Sequence, residues 1–393
     1  MATIRIAREI ALPDPLRVSR ALSAPLQGPR ILFFSGGSAL NAISRELKRY
    51  TFNSIHLITP FDSGGSSQIL RRSFDMPAVG DLRSRLMALA DETVLGQPDI
   101  FALFTCRLPA DGPQKALRAE VAAMTEGKHP LVKAVSRPMR TLIQSFLQQF
   151  ADRAPEDFDY RNASIGNLII AGGYLDNDRA LEPVLFLMSK MVDVRGTVRS
   201  VVDANLQLGV ALADGSQVIG QRRITGKEVA PLDQRITRAF LSDGSRELPA
   251  SEVSLPKRNR RMIGQADLIC YPPGSLYSSV IANLLPSGVG RAIAAQNVPK
   301  LYLPSLGQDP EAAGHSLADQ VDALIAPMRA DAGADLPAGQ LVTHVLCDRA
   351  TDLSACDAVT ARHGIPCIRL DLAGQSPERY DPRKVCEALV SVG

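Results

Sequence analysis

The sequence has few of the features that mark membrane, secreted or zinc-binding proteins. No apolar run approaches the ~20 residues that a membrane helix needs, and the first thirty residues lack the apolar core of a secretory signal. None of the six cysteines forms a CxxC pair, and no cysteine–histidine cluster has zinc spacing. Low cysteine density in a long chain is typical of a reducing compartment. We therefore expect a cytoplasmic protein with buried free thiols, although Cys356 and Cys367 could meet in space.

A large net charge is also lacking. The 44 Lys and Arg residues nearly balance the 41 Asp and Glu residues, which gives a net charge of +3. This balance provides no general attraction to nucleic acid or anionic membranes. The short basic run at 257–261 has no aromatic neighbours, which favours a solvated helix face over nucleic-acid contact. We expect neither nucleic acid nor a membrane as a partner, so binding must come from a local site; a homodimer is compatible with the sequence.

The order of elements at the start of the chain points to an α/β fold. At roughly 150 residues per domain, 393 residues correspond to two or three domains, or to one large α/β unit with an insertion. Residues 31–34 are four consecutive apolar residues, which is typical of a strand buried on both faces. A glycine turn at 35–38, an amphipathic helix at 39–48 and a strand at 54–59 follow. This order is the βαβ pattern of a nucleotide-binding half.

The pattern changes in the middle of the chain and then resumes. Short alternating runs at 196–240 surround an Asp-Gly turn at 214–215, which is a hairpin signal. Further strands are predicted at 267–271, 300–304, 341–347 and 365–372. Helices are predicted within 80–150, including one at 131–150, and also at 164–175, 276–285 and 315–328. We predict a Rossmann-like, mainly parallel open sheet with helices on both faces and a small antiparallel insertion at about 196–240. The predicted nucleotide-binding domain spans 31–330, between an N-terminal extension at 1–30 and a C-terminal α/β extension at 331–393 that packs on the same sheet.

Two strand-to-helix turns are candidate anion sites. The first backbone amides of a helix lack partners and lie at the positive end of its dipole, and small residues let an anion approach them. The candidate residues are Gly36, Gly37 and Ser38 in the first turn, and Gly274, Ser275, Tyr277 and Ser278 in the second. The first turn is not a full GxGxxG and lacks a P-loop lysine, so a plain tight turn is its alternative. For the second turn the alternative is an N-cap serine.

The loop after the second strand is a third candidate, because it should open at the same carboxyl edge of the sheet. Asp62 beside small and hydroxyl residues could hold a metal ion or orient a hydroxyl nucleophile. A solvated Asx turn is the alternative. The other candidate binding residues of this loop are Ser63, Gly64, Gly65, Ser66 and Ser67.

A few other residues carry weaker signals. Asn167 could bind a ligand or a neighbouring backbone group. Asp81 and Arg83 are compatible with a helix cap and a solvated charge, and His56, inside an apolar strand, is expected to be a satisfied core residue. The sequence has no GxSxG elbow, so a hydrolase triad has no support.

Several of these motifs occur in a familiar order. They are Gly-Gly-Ser-Ala-Leu at 36–40, Asp-Ser-Gly-Gly-Ser-Ser at 62–67, Gly-Asp-Leu-Arg at 80–83, Ala-Leu-Ala-Asp at 88–91, Ser-Ile-Gly-Asn-Leu at 164–168, Pro-Gly-Ser-Leu-Tyr-Ser-Ser at 273–279 and Asn-Leu-Leu at 283–285. In this order the chain resembles the CofD-like superfamily over roughly residues 30–330. The resemblance implies a Rossmann-like sheet and a nucleotide-linked small molecule as ligand.

The superfamily has two well-known branches, and the resemblance implies a different function for each. The 2-phospho-L-lactate transferases move a phospholactyl group from a guanosine-diphosphate-linked donor to a deazaflavin alcohol, with magnesium. The YvcK-like gluconeogenesis factors bind UDP-sugars and regulate carbon use and cell-wall growth. The Gly-Gly-Ser-Ser loop resembles the second branch, but Ser63 replaces its second aspartate, Ala39 replaces a third glycine and Pro272 replaces the glycine of a Gly-Pro-Gly-Ser turn. These departures indicate a divergent third branch.

We favour a transferase-type site over the regulator, because anion-binding turns and an acidic loop occur together. In this hypothesis a nucleoside diphosphate lies on the Gly36 and Gly274 turns. Asp62 is the catalytic residue, which places magnesium or the attacking hydroxyl. The alternatives are a UDP-sugar-binding regulator that forms no product and a scaffold with an empty pocket.

Overall fold

The computed structural model describes residues 9–93, 97–226 and 229–393. Outside the described residues lie 1–8 of the predicted N-terminal extension, 94–96 of the predicted helical stretch and 227–228 of the predicted insertion. None of the described helices is both long and apolar enough to cross a membrane.

Ten described strands form two sheets. The strands are β1 (Ile31–Ser35), β2 (Ile55–Ile58), β3 (Thr197–Ser200), β4 (Gln207–Leu212), β5 (Gln217–Ile219), β6 (Ile236–Ser242), β7 (Leu268–Tyr271), β8 (Lys300–Tyr302), β9 (His344–Asp348) and β10 (Cys367–Leu370). Seven of them form a sheet in the order β10–β9–β8–β7–β1–β2–β3, in which every neighbouring pair is parallel. The other three form an antiparallel sheet in the order β5–β4–β6. The predicted fold class is confirmed.

The core lies on both faces of the parallel sheet. Successive side chains of a strand point to opposite faces, so Leu32 and Phe34 pack into one apolar cluster while Ile31 and Phe33 pack into another. Burial on both faces is why β1 is continuously apolar.

The described helices cover these faces and build a third core. They are α1 (Pro15–Ser23), α2 (Asn41–Leu47), α3 (Gly65–Phe74), α4 (Gly80–Leu89), α5 (Pro98–Thr105), α6 (Gln114–Thr125), α7 (Pro130–Ala134), α8 (Met139–Arg153), α9 (Ile165–Asp176), α10 (Leu181–Met191), α11 (Gln221–Thr225), α12 (Lys257–Ile263), α13 (Val289–Ala294), α14 (Leu317–Ala332), α15 (Leu353–His363) and α16 (Pro382–Val392). The helices from α3 to α10 lie between β2 and β3 in the chain and share their own apolar cluster. At the other end of the chain, α16 packs on α2 at one face of the sheet.

Two predicted elements in the middle of the chain differ from the structure. The alternating run at 198–203, predicted to belong to the insertion, instead includes β3, which pairs parallel with β2 at the edge of the main sheet. An edge strand is half covered, so its alternation resembles that of a hairpin strand. The helix predicted at 131–150 is divided into α7 and α8, because Pro138 has no amide hydrogen and restricts the residue before it. The helix predicted at 164–175 is confirmed as α9.

The segment after β7 is not the regular helix predicted at 276–285. It is a π-helical turn, Leu276–Val280, followed by a 3-10 turn, Ile281–Leu284. Its first amides donate to carboxylates from a loop after β8. The Leu276 amide lies 2.7 Å from Asp309 Oδ2, and those of Tyr277 and Ser278 lie 2.9 and 2.8 Å from Glu311 Oε2. These side-chain acceptors take the place of helix-internal partners at the start of the turn.

The topology places one crevice at the carboxyl edge of the sheet. The chain leaves β1 toward β2 and β3 on one side, and it leaves β7, the other neighbour of β1, toward β8, β9 and β10 on the other side. In open α/β sheets, ligands bind where the strand order reverses in this way. The crevice is therefore bordered by the turns that follow β1 and β7.

Replacing Glu311 with glutamine should remove a pH-dependent loss of stability. Burial, assisted by the nearby charge of Asp309, raises the pKa of Glu311 from 4.5 to about 7. The folded chain therefore keeps a proton that the unfolded chain releases between these values, and stability falls as pH rises through them. We expect the free energy of unfolding of the wild type to fall by on the order of 2–3 kcal/mol relative to Glu311→Gln between about pH 4 and pH 8.

Urea denaturation at several pH values measures this difference. Glu378→Gln, at an exposed position, is the matched control and should follow the wild-type profile. Parallel profiles for the wild type and Glu311→Gln would show that Glu311 titrates as it does in the unfolded chain.

Candidate functional site

A polar cavity of about 360 Å³ lies at this crevice. The turns after β1 and β7, the loop after β2 and the short helix α11 all contribute to its wall. The sequence-predicted residues that line it are Gly37, Ser38, Asp62, Gly64, Gly65, Ser66, Ser67, Asn167, Ser275 and Ser278. Gly36, Ser63, Gly274 and Tyr277, also predicted, do not line it. The structure thus brings ten residues from four separate segments to one place.

The first glycine turn binds a carboxylate of the chain itself. The amide of Gly37 donates to Asp81 Oδ2 at 2.6 Å. A Cβ atom at Gly36 would lie 3.2 Å from the same oxygen and 3.3 Å from Ser279 Cα, so this glycine permits close packing between the two turns. Asp81 is therefore not the helix cap considered from the sequence: it lies inside α4, whose N-cap is Val79, and its carboxylate accepts the Gly37 amide.

The turn after β7 is occupied in the same way. Glu311 and Asp309 accept the amides of Leu276, Tyr277 and Ser278, and the Ser278 hydroxyl donates to Glu311 Oε1 at 2.5 Å. The Gly274 amide donates to Ser305 Oγ at 3.1 Å. These amides are thus not available to the phosphate that the sequence analysis placed there.

Tyr277 also differs from its prediction as a binding residue. Its hydroxyl donates to the carbonyl oxygen of Ile236 and lies 2.9 Å from His315 Nε2. The ring lines a second, mainly apolar cavity of about 440 Å³ between β6 and α14. Tyr277 therefore packs against the insertion and away from the polar cavity.

The loop after β2 leads to the helix terminus that remains open. Asp62 Oδ1 accepts the Gly64 amide at 2.9 Å, which forms the Asx turn considered from the sequence. The helix α3 follows at Gly65, which has a left-handed φ of +49°. No described residue accepts a hydrogen bond from the amides of Gly65, Ser66 or Ser67. Of the three candidate segments, this is the one whose first helix amides have no acceptor among the described residues.

Ser63 ties this loop to the antiparallel insertion. Its amide donates to Gln221 Oε1 at 3.0 Å, and its hydroxyl accepts the amide of Arg222 at 2.7 Å. Both partners belong to α11 and line the cavity, as does Thr225. The insertion therefore forms part of the site, and Ser63 acts as the connection.

Asn167 connects a half-buried arginine to the start of α3. Arg83 Nε donates to Asn167 Oδ1 at 2.8 Å, and Asn167 Nδ2 donates to Ser66 Oγ at 3.0 Å. Burial, assisted by the charge of Arg107, lowers the pKa of Arg83 to about 10. Arg83 is thus charged at neutral pH and half-buried, and is not the solvated residue considered from the sequence.

Arg107 and Arg222 also line the cavity, and the sequence analysis named neither. Arg107 follows α5 and Arg222 lies in α11, so they are remote from each other and from Arg83 in the chain. Both are exposed. The cavity is therefore lined by three arginines and by the first residues of α3, which is an electrostatic arrangement suited to a polyanion.

Two carboxylates, Asp62 and Asp81, line the same cavity. Gly80 allows α4 to approach the loop after β2, since a Cβ there would lie 2.4 Å from Ser67 Oγ and 3.1 Å from Asp62 Oδ2. The Gly-Asp-Leu-Arg motif at 80–83 contains this glycine next to Asp81, so the sequence offered a signal for it. The close approach of Gly80 to Ser67 and Asp62 depends on the fold.

Two further buried arginines support the loops without lining the cavity. Arg85 Nη1 donates to Ser44 Oγ at 2.6 Å, and Arg71 Nη2 donates to the carbonyl oxygen of Leu206 at 2.6 Å. Arg71 also donates to the carbonyl oxygens of Phe61 and Asp62 at 3.2 Å. Arg71 thereby fixes the backbone that carries Asp62.

Comparisons with known proteins agree with this architecture. The model of the family described as "2-phospho-L-lactate transferase CofD" matches residues 31–384. A putative gluconeogenesis factor from Nostoc is 30% identical over 322 residues, and the match spans 82% of this chain and 56% of that protein. The gluconeogenesis factor of Bacillus subtilis is 29% identical over 299 residues, which cover 76% of this chain and 74% of that protein.

A solved structure extends the similarity to the fold. The crystal structure of a UPF0052-family protein from Bacillus halodurans superposes with a TM-score of 0.66 at 23% identity, covering 92% of this chain and 99% of that one. The family model spans all ten described strands and the residues that line the cavity. The chain therefore belongs to the CofD family.

Proposed function

We infer that the chain binds a nucleoside-diphosphate-linked small molecule in the polar cavity and moves its distal phospho-group to an alcohol. The observation that supports this inference is the open N-terminus of α3, at Gly65, Ser66 and Ser67, beside the guanidinium groups of Arg83 and Arg107. A phosphate accepts hydrogen bonds from such amides and is stabilised by the helix dipole.

The other two glycine turns explain why the phosphates would bind at α3. Asp81 occupies the first turn, and Asp309 and Glu311 occupy the turn after β7. A phosphate at either turn would have to displace a carboxylate from its amides, whereas at α3 it meets amide donors that have no acceptor among the described residues. The cavity volume of about 360 Å³ lies within the ~300–1,000 Å³ of small-molecule sites.

The chemistry of transfer requires a positioned hydroxyl and charge neutralisation. In the proposed reaction the acceptor oxygen attacks the distal phosphorus, the bond from that phosphorus to the bridging oxygen breaks, and a nucleoside monophosphate leaves. Asp62 accepts the hydroxyl proton or orients the hydroxyl, and Arg83, Arg107 and Arg222 stabilise the charge on the phosphoryl oxygens.

Magnesium fits the donor set of this cavity. Proteins usually hold Mg²⁺ with one or two carboxylates together with substrate phosphates, and Asp62 and Asp81 both line the cavity. When bound, the ion would neutralise phosphate charge during transfer. Asp62 and Asp81 would hold the ion, and one oxygen of each already accepts a backbone amide.

A second candidate is a UDP-sugar-binding regulator that forms no product. The curated relatives from Nostoc and Bacillus subtilis are named as gluconeogenesis factors, and the Gly-Gly-Ser-Ser loop resembles that branch. The same phosphate site would then hold the diphosphate of a nucleotide sugar, and α11 would pass ligand binding on to a protein partner.

The variant Asp62→Asn separates the two functions. The asparagine keeps an oxygen for the Gly64 amide, so the fold and nucleotide binding should persist. Loss of the carboxylate should reduce turnover by roughly 10²–10⁴-fold, as expected for a group that acts on a proton. The measurement is release of guanosine monophosphate from lactate linked to guanosine diphosphate, in the presence of a deazaflavin alcohol and magnesium.

Asp157→Asn, an exposed substitution on the loop after α8, is the control and should turn over at the wild-type rate. Wild-type turnover in Asp62→Asn would remove Asp62 from the mechanism. A wild-type protein that binds UDP-sugars and releases no product from them or from the guanosine-linked donor would favour the regulator.

The variant Arg107→Ala tests the proposed phosphate contacts. A charge-assisted hydrogen bond contributes about 1.5–3 kcal/mol, so the dissociation constants of GDP and UDP-glucose should rise by roughly 10–100-fold. Isothermal titration at low and moderate salt measures the change, and the salt dependence should also decrease. Arg20→Ala, at an exposed position of α1, should leave both values unchanged; an unchanged affinity in Arg107→Ala would place the phosphates elsewhere.

A further inference from the structure

Three cysteine thiols meet far from the polar cavity. Cys347 lies in β9, Cys356 in α15 and Cys367 at the start of β10, and their Sγ atoms all lie within 4.8 Å of one another. All three are free thiols. The sequence analysis considered only that Cys356 and Cys367 could meet, because the spacing of the three cysteines matches no zinc motif.

The fold explains how unrelated positions converge. The strands β9 and β10 are parallel neighbours, with Cys347 opposite Arg369 and Cys367 opposite Val345, and α15 is the crossover between them. The first half of α15 therefore lies over the strands that it connects, and Cys356 points to the same face as the other two thiols. The connection brings one thiol from each element to one point.

The separations suit a single soft metal ion. Two sulfur atoms bound to zinc at ~2.3 Å lie about 3.8 Å apart in a tetrahedral site, so the thiols need only small rotations to share one ion. Thiolates are the ligands that soft cations such as Zn²⁺ and Cu⁺ prefer. Among the described residues, these three cysteines are the one group of three or more Cys, His, Asp or Glu side chains with ligand atoms close enough to hold a metal ion.

The three cysteines of the cluster differ in their exposure to solvent. Cys347 is fully buried and Cys356 is 6% exposed, while Cys367 is half-buried. An ion therefore has a route from solvent past Cys367, and water can occupy a remaining coordination position. The remaining cysteines, Cys106, Cys270 and Cys386, are outside the cluster.

We propose that Cys347, Cys356 and Cys367 form a three-thiolate site for one soft d¹⁰ cation, Zn²⁺ or Cu⁺. Each thiol loses its proton as its sulfur binds the ion, and no electron is transferred. The bound ion links β9, α15 and β10. Because β10 is the last strand of the sheet and is half-exposed along its whole length, the ion stabilises the edge of the sheet that has the least apolar cover.

Titration of the reduced, metal-free full-length chain with Cd²⁺ tests the site. Cadmium is a spectroscopic probe for zinc-type thiolate sites, because its thiolate bonds absorb in the ultraviolet. We expect a charge-transfer band that saturates at one ion per chain, and competition by Zn²⁺ that removes it. A second titration with Cu⁺ under anaerobic conditions distinguishes the two cations by their relative affinity.

Two variants assign the ligands. Cys367→Ser changes the half-buried member, so the chain should fold as the wild type does, and loss of one thiolate should weaken Cd²⁺ binding by at least about 10–100-fold, the cost of losing even an outer-shell partner. Cys106→Ser, a half-buried cysteine outside the cluster, should keep the full band. Absence of a saturable band in the wild type, wild-type affinity in Cys367→Ser, or loss of the band in Cys106→Ser would each overturn the proposal.

Discussion

The structure depends on which groups accept hydrogen bonds from the backbone amides in the turns at the carboxyl edge of the parallel sheet. Three turns bring unpaired amides to one crevice, and each needs an acceptor. Asp81 supplies one for the turn after β1, and Asp309 and Glu311 supply them for the turn after β7. The start of α3 has no acceptor among the described residues. The protein thus uses its own carboxylates to fix two walls of the cavity, and the third wall is where we propose that an external anion binds.

Hydrogen bonds of this kind also connect the sheet to the candidate site. Glu311 comes from the loop after β8, so the turn that follows β7 is fixed by the neighbouring strand of the sheet. Arg71 fixes the backbone of the loop after β2, and Ser63 fastens that loop to α11. The antiparallel insertion is therefore a wall of the cavity, and a change in its position would move Arg222 relative to the proposed phosphate site.

The sequence predicts the framework of the sheet well and its electrostatics only in part. The apolar run at 31–34 and the glycine turn after it identified β1, and the loop containing Asp62 was correctly placed at the cavity because parallel strands end at one edge. The roles of Gly37 and Tyr277 could not be predicted, since they depend on Asp81 and on Glu311, which are remote in the chain. Periodicity carries no information about such long-range pairs.

A crystal structure of the chain with GDP and magnesium would test the central claim most directly. We expect a phosphate to accept hydrogen bonds from the amides of Gly65, Ser66 and Ser67. Asp81 should still accept the Gly37 amide, and Glu311 should still accept those of Tyr277 and Ser278. A diphosphate bound at the Gly37 or Tyr277 amides, with the carboxylates displaced, would contradict it.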